Sequence, residues 1–315
     1  MTVYKKKAII VGSAGQDGFY LSKLLSYKKY TLIKIDRNNI TNQGIKKPFN
    51  ILNRSLVKEL IKSQKPQEIY YLAAHHHSSN EKIISLSNLF KNSHEVHCKG
   101  LINFLVAISE NSPQSRLFYA ASSLIFGEPK NYPQNEKTTI NPICFYGITK
   151  ATGIELCNFF RRERNVFCSA GILYNHESPL RAEKFVSQKI IKAACEATKY
   201  SNTKLTIGNL DTKVDWSYAG DFVLAFNSIL QLKKPTNFII SSGKLHTVRD
   251  FARIAFNYVG LNYKRFVIED SKILQRTVRK IPLVGDNKKL RSLTNWSPLI
   301  SFEELIKIMI KAKKK

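Results

Sequence analysis

Ala8-Ile9-Ile10-Val11 runs straight into Gly12-Ser13-Ala14-Gly15-Gln16-Asp17-Gly18, and the architecture follows from this junction. Four apolar residues in succession, three of them β-branched, read as a short strand buried on both faces. The stretch 19–26 then carries Leu21, Leu24 and Leu25 on one helical face. Glycines between such a strand and helix let the backbone turn tightly. They also bring amide N–H groups and the positive helix end against a pyrophosphate, which side chains would obstruct. The spacing Gly-x-x-Gly-x-x-Gly departs from the commoner Gly-x-Gly-x-x-Gly, so the position between strand and helix carries the dinucleotide reading. Gly12, Ser13, Ala14, Gly15, Gln16, Asp17 and Gly18 are therefore expected to cradle a cofactor.

Outward from this point the alternation continues. Residues 31–35, 68–72, 116–121 and 166–173 read as strands, and 56–61, 96–108 and 146–161 as helices. Strands separated by helices require right-handed crossovers, so the expected class is α/β: a Rossmann-type doubly wound parallel sheet covered on both faces. From Asn175 the alternation loosens and prolines intervene. The expected division is a dinucleotide-binding domain over 1–173, to which about 212–242 return, and a smaller carboxyl-terminal substrate-binding region over 174–211 and 243–315.

Asp36 falls at the end of the second strand, about twenty residues past the loop, where a carboxylate can take both ribose hydroxyls of NAD and repel a 2′-phosphate. Arg37 follows directly and could meet that phosphate instead. NAD is the expected cofactor, with NADP the less favoured alternative. A second constellation is Tyr146-Gly147-Ile148-Thr149-Lys150, preceded by Ala121-Ser122-Ser123 at a strand end. A spacing of four puts Tyr146 and Lys150 on one helical face, where an ammonium is expected to hold down the phenol's pKa and make it a base. Ser122 would hydrogen-bond the same substrate oxygen. Ser122, Tyr146 and Lys150 are the candidate catalytic residues.

Composition excludes other classes. A chain of 315 residues, 43% apolar and 23% charged, is large enough for a full core and is neither a disordered tail nor a small stapled module. It has no apolar run of about eighteen residues and no readable secretory signal. Five cysteines, odd in number and without a Cys-x-x-Cys pair, suggest neither a disulfide framework nor a zinc site, and the reducing cytoplasm is the expected compartment. A formal charge of +27 admits nucleic acid as partner. The lysines and arginines are scattered, however, and a solvated basic surface that helps an anionic ligand approach is favoured. His75-His76-His77 follows a predicted strand without partners at ligand spacing, so loop contact with cofactor or substrate is expected and no metal. His94 and His97 are expected as a surface pair, and Cys98 as core filling.

With these residues in view, the chain resembles the extended short-chain dehydrogenase/reductases and, among them, the GDP-mannose 4,6-dehydratase family. The resemblance runs over nearly the whole length through 12–21 (GSAGQDGFYL), 65–74 (KPQEIYYLAA), 145–150, 172–179 (ILYNHESP), 208–216 (GNLDTKVDW), Gly285-Asp286 and Asn295-Trp296. It implies cofactor contacts from the glycine loop, from Asn50 and Ile51 to the adenine, and from Leu72, Ala73, Ala74, His75 and His76 beside the ribose and nicotinamide. Tyr146, Lys150, His176 and Arg181 join them. Asn50 stands where an aspartate is usual, though its amide oxygen can still accept the adenine's amino hydrogen. Asn175 and Arg276 match positions at the diphosphate of a GDP-linked nucleotide-sugar, with Lys189 beside them, and Ser123 and Leu124 fall at the sugar.

The departures bear on the chemistry. The family reads Thr-Ser-Glu where this chain reads Ser122-Ser123-Leu124, and that glutamate takes the proton from sugar carbon 5. Oxidising carbon 4 needs Ser122, Tyr146 and the nicotinamide, whereas elimination across carbons 5 and 6 needs the acid/base that Leu124 cannot supply. Val214 replaces a phosphate-binding arginine and Arg279 a glutamate. The segment between Asp36 and Phe49 is shorter than the family's and lacks its paired arginines, which agrees with NAD and with a homodimer through the helices of 96–108 and 146–161. The expected activity is hydride transfer at hexose carbon 4, as a dehydrogenase, 4-keto reductase or 4-epimerase. The alternatives are a 4,6-dehydratase with another base, Ser123 with water or Glu128, and a non-catalytic cofactor- or nucleic-acid-binding protein on the same fold.

Overall fold

The computed structural model describes residues 5–37, 39–42, 44–76, 85–270, 272 and 281–314. Along the chain, β1 (Lys7–Val11), α1 (Gln16–Tyr27) and β2 (Thr31–Asp36) form the first crossover. The hairpin β3 (Asn39–Asn42) and β4 (Ile45–Pro48) follows, then α2 (Arg54–Gln64) and β5 (Glu68–Tyr71). Next come α3 (Leu86–His94), a π-turn (Glu95–Gly100), α4 (Leu101–Asn111), β6 (Arg116–Ala120), α5 (Phe145–Glu163) and β7 (Phe167–Leu173). The remainder comprises β8 (Asn175–Glu177), α6 (Val186–Ala197), β9 (Leu205–Ile207), β10 (Lys213–Tyr218), α7 (Ala219–Leu230), β11 (Phe238–Ile240), β12 (Leu245–Thr247), α8 (Val248–Tyr258), β13 (Val267–Glu269), α9 (Lys288–Thr294) and α10 (Phe302–Lys314).

The main sheet has the order β11-β7-β6-β5-β1-β2-β3-β4. Pairing is parallel from β11 through β2. Successive side chains alternate between faces: Ile9 and Val11 of β1, Ile69 and Tyr71 of β5, and Leu117 and Tyr119 of β6 point toward α2, α4 and α5. Ala8, Ile10, Tyr70 and Phe118 point toward α1, α7 and α9. Both faces are covered, as a parallel sheet requires.

The doubly wound parallel sheet expected from the sequence is present, and it carries an antiparallel hairpin at one edge that the sequence reading did not include. β3 pairs antiparallel with β2, and β4 with β3, around Gly44 at φ +84°. Their polar sequences, Asn-Ile-Thr-Asn and Ile-Lys-Lys-Pro, lack the apolar alternation that announces a strand. Lys46, Lys47 and Pro48 on exposed β4 suit the sheet's open edge, where charge and a missing N–H discourage further pairing.

A second core lies beyond the carboxyl ends of the strands. The small sheets β12-β10-β8 and β13-β9 lie there with α6, α8 and α10, around Ile190, Trp216, Phe251, Phe256, Ile306 and Ile310. Asp215 of β10 ties this region together, its carboxylate accepting from the backbone N–H groups of Ser242, Gly243 and Gly285.

Candidate active site

The carboxyl ends of β1, β5 and β6 open on one crevice. The chain leaves β1 toward β2 on one side, while β5 lies on the other, so the two ends diverge and leave space between them, where open α/β sheets bind ligands. Three glycines shape its floor. Gly12 has φ +89°, and a Cβ there would stand 2.8 Å from Ala73 N, so the loop touches the end of β5 through bare backbone. At Gly18 a Cβ would collide with Gly12 O, which fixes how closely α1 approaches the turn. Gly15 differs: a Cβ would meet only Gly12 O, at 3.4 Å, and the residue is exposed at the N-cap of α1 without a side-chain cap. Uncapped amides at a positive helix end, reachable past a missing side chain, fit the pyrophosphate of a dinucleotide.

Gln16 and Asp17, expected at the cofactor, also hold β8. His176 Nε2 lies 3.0 Å from both Asp17 carboxylate oxygens, and its Nδ1 donates to Tyr174 O at 2.8 Å. The ring stacks on Phe222, with centroids 4.5 Å apart. Gln16 donates to His176 O and accepts from Ser178 Oγ. Burial works against both charges and is the largest single influence on each, but the combined interactions outweigh it: His176 with Gln16 carries Asp17 below the usual carboxylate range, and Asp17 with the Tyr174 carbonyl carries His176 above the ordinary histidine value. Arg181 pairs with buried Glu177 at 3.4 Å and lies 3.6 Å over the Phe185 ring.

Asp36 ends β2 half-buried, and Arg37 is exposed at φ +24°. Asn50 is exposed with its amide oxygen accepting from Leu52 N at 2.9 Å, so the oxygen meant for the adenine already has a local partner. Ile51 O accepts from Asn103.

Ser122 leaves β6 and caps the short 3₁₀ turn Ser123–Phe126, its Oγ accepting from Leu124 N at 3.2 Å. That turn packs on the first turn of α5 because residue 147 is glycine: a Cβ there would stand 2.6 Å from Leu124 O. Gly153 similarly lets α5 lie against the Tyr119 ring of β6. Ser122 and Leu124 are thereby brought against the turn of α5 that carries Tyr146. Lys150 is 1% exposed; its Nζ donates to Ala120 O at 2.7 Å and lies 5.6 Å from the Tyr146 ring centre. Burial lowers the Lys150 ammonium to about 7. The expectation of a depressed phenol is corrected, since burial raises Tyr146 against the opposing pull of Arg181. The ammonium is directed at a carbonyl and desolvation prevails.

His76 and His97 flank Tyr146 edge-on at 5.0 and 5.1 Å. His97 overturns the expected surface pair: His94 is exposed, but His97 is fully buried. The signal was present, because His97 lies on one stripe with Leu101, Phe104 and Ile108, at i, i+4, i+7 and i+11. Cys98 is buried, as expected.

Of the substrate candidates, Ser123 is buried, Leu124 and Lys189 are half-buried and Asn175 is exposed at the start of β8. Val214 packs against the second core. Arg276, Arg279 and His77 lie outside the described residues. Among those described, no group of three His, Cys, Asp or Glu could hold a metal ion, and no helix is long and apolar enough to cross a membrane.

Residues 9–309 match the sequence pattern of GDP-mannose 4,6 dehydratase. The chain is 32% identical to GDP-mannose 4,6 dehydratase 2 of Arabidopsis thaliana, over 97% of this chain and 86% of the relative. It is 31% identical to GDP-mannose 4,6 dehydratase of Homo sapiens, over 97% and 90%. In fold it superposes on UDP-glucose 4-epimerase of Thermotoga maritima with a TM-score of 0.82, at 18% identity over 98% of both chains. dTDP-glucose 4,6-dehydratase of Bacillus anthracis gives 0.81 at 17% identity, over 98% of this chain and 96% of that one. Because the match spans residues 9–309 and holds at 31 to 32% identity over nearly the whole length, the chain belongs to the GDP-mannose 4,6-dehydratase family of the extended short-chain dehydrogenase/reductases.

Proposed function

We propose that this protein transfers hydride at carbon 4 of the hexose of a GDP-mannose-like nucleotide-sugar, with NAD as cofactor, and does not eliminate water. The observation that carries the reading is Leu124: it stands in the turn that Gly147 packs onto the first turn of α5, beside Tyr146, and its alkyl side chain can neither take nor give a proton. Of the alternative bases, Ser123 is 4% exposed and stays inside the same turn, and Glu128 faces solvent.

The glycine loop and the end of β5 would hold the dinucleotide, with Asp36 accepting from the ribose hydroxyls. A bound nicotinamide supplies the hydride acceptor or donor. Ser122 Oγ would hydrogen-bond the carbon-4 oxygen, and Tyr146 would give its phenol proton to that oxygen in the reducing direction; in the oxidising direction it would take the proton only where the positive charge of a bound oxidised nicotinamide offsets the burial that raises the phenol. Lys150, titrating near neutrality, sets the local charge under the phenol. A homodimer would form through α4 and α5, where Ile148 and Phe159 are left exposed.

Mass spectrometry after incubation with GDP-mannose and NAD tests the reading. A product lighter by two hydrogens supports it, and one lighter by a water contradicts it.

A further inference from the structure

We infer that His97 is a positioning residue for Tyr146, bridging the backbone at the end of β5 to the first turns of α5 through its two ring nitrogens. The inference rests on Tyr146 as the proton-transfer group proposed above.

His97 sits in the π-turn between α3 and α4, whose wider winding breaks the regular hydrogen-bond ladder. Tyr71 Oη donates to Val96 O at 2.6 Å, and a Cβ on Gly100 would collide with that hydroxyl. The distorted turn is thereby fixed against β5, with His97 turned fully inward.

The hydrogen bonds around the ring determine its tautomer. His75 N–H can only donate, and it meets Nε2 at 3.1 Å, so Nε2 carries no proton. In a neutral ring the proton then lies on Nδ1, which donates to Thr149 Oγ1 at 2.8 Å. The threonine hydroxyl passes its own hydrogen to Phe145 O or Tyr146 O, at 2.9 and 3.2 Å. Donation thus runs in one direction, from the loop after β5 to the first turn of α5, at the carbonyl of Phe145 or of Tyr146. The imidazole also meets the Tyr146 ring at 87°, and with His76 brackets the phenol.

A charged ring would aim Nε2–H at the His75 N–H and break the bridge. Burial keeps His97 neutral, reinforced by the positive charge facing it from Lys150 on α5 and from His75 and His76 after β5. Cys98 beside it donates to Thr149 O at 3.5 Å and adds no positive charge. His97→Gln can reproduce both bonds, accepting with Oε1 and donating with Nε2, whereas His97→Leu can make neither.

The test uses the full chain with His97→Leu, His97→Gln and, as reference, Tyr146→Phe. Cofactor reduction with GDP-mannose should fall by about ten- to a hundredfold in kcat for His97→Leu, with KM for NAD changed less than about threefold, and with its pH midpoint shifted. His97→Gln should recover most of that loss. Nitrogen-15 spectra of the wild-type histidines should show one ring that stays neutral from about pH 5 to 8 with its proton on Nδ1. Wild-type kcat and pH profile in His97→Leu beside an inactive Tyr146→Phe would overturn the inference, as would a proton on Nε2 or a ring that titrates in that range. An active Tyr146→Phe would instead refute the parent reading, and the spectrum alone would then decide whether the bridge exists.

Discussion

His176 Nε2 lies 3.0 Å from both carboxylate oxygens of Asp17, joining a strand beyond β7 to the first turn of the helix that follows the glycine loop. Because Nδ1 already donates to Tyr174 O, the pairing is satisfied best by a protonated imidazole and an ionised carboxylate. The first turn of α1, just past the glycine loop, is therefore tied to β8 by an ion pair whose strength depends on pH.

The sign follows from the two shifts. His176 is raised, so its contribution is full below the unfolded histidine pKa, about 6.5, and fades as pH rises through the folded value. Asp17 is lowered, so its contribution is full above about 3.8 and is lost as pH falls through its folded value. The stability advantage of wild type over His176→Gln should be largest at about pH 5 to 6 and shrink toward pH 9. Thermal unfolding of the two proteins across that range checks it, and an advantage that grows with pH would refute it. Asp17→Asn should cost about 1–3 kcal/mol near pH 6.

The glycines should separate folding from binding. Gly12→Ala forces a side chain into positive φ against Ala73 and should destabilise the fold by about 1–3 kcal/mol. Gly15→Ala meets only Gly12 O at 3.4 Å, so stability should change by less than about 1 kcal/mol. NAD affinity should nevertheless drop by about tenfold or more, since the new methyl stands where the pyrophosphate approaches. Denaturant unfolding beside calorimetric NAD titration of both variants distinguishes these outcomes. Unchanged NAD binding in Gly15→Ala would contradict the cradle.

Asp36 should set cofactor choice. A carboxylate beside a 2′-phosphate is a like-charge pair in a partly desolvated site, so NAD should bind at least about tenfold more tightly than NADP. Asp36→Ser should narrow that ratio mainly by improving NADP. Calorimetry showing equal affinities in the wild type would refute the assignment.

What sequence reading reached, and what escaped it, divides along physical lines. The run Ala8–Val11 with its glycines is legible because burial on both faces and a tight turn each demand particular residues within a few positions. Tyr146 and Lys150 are legible because a helix places residues four apart together. The hairpin Asn39–Pro48 is not, since an exposed sheet edge imposes no apolar pattern on its residues. Asp17 and His176, 159 residues apart, meet only through the order of the strands. The bracketing of Tyr146 by His76 and His97 draws on three separate elements, one of them a π-turn whose register simple helical spacing does not describe. The depression of Lys150 and the rise of Tyr146 both follow from burial, which disfavours the ammonium and the phenolate alike and which spacing cannot convey.

The central claim is that Leu124 leaves this site with hydride transfer and without elimination. A general base contributes a factor of about a hundred to ten thousand, so water-assisted elimination by the wild type should be slower than ordinary turnover by that order. Leu124→Glu should raise it wherever the pocket still accepts the sugar. The most direct measurement is the product of the unmutated protein with GDP-mannose and NAD, followed by mass spectrometry over single turnovers. The account predicts a sugar nucleotide lighter by two hydrogens with the ring hydroxyls otherwise intact; rapid appearance of a 4-keto-6-deoxy sugar, lighter by one water, would contradict it.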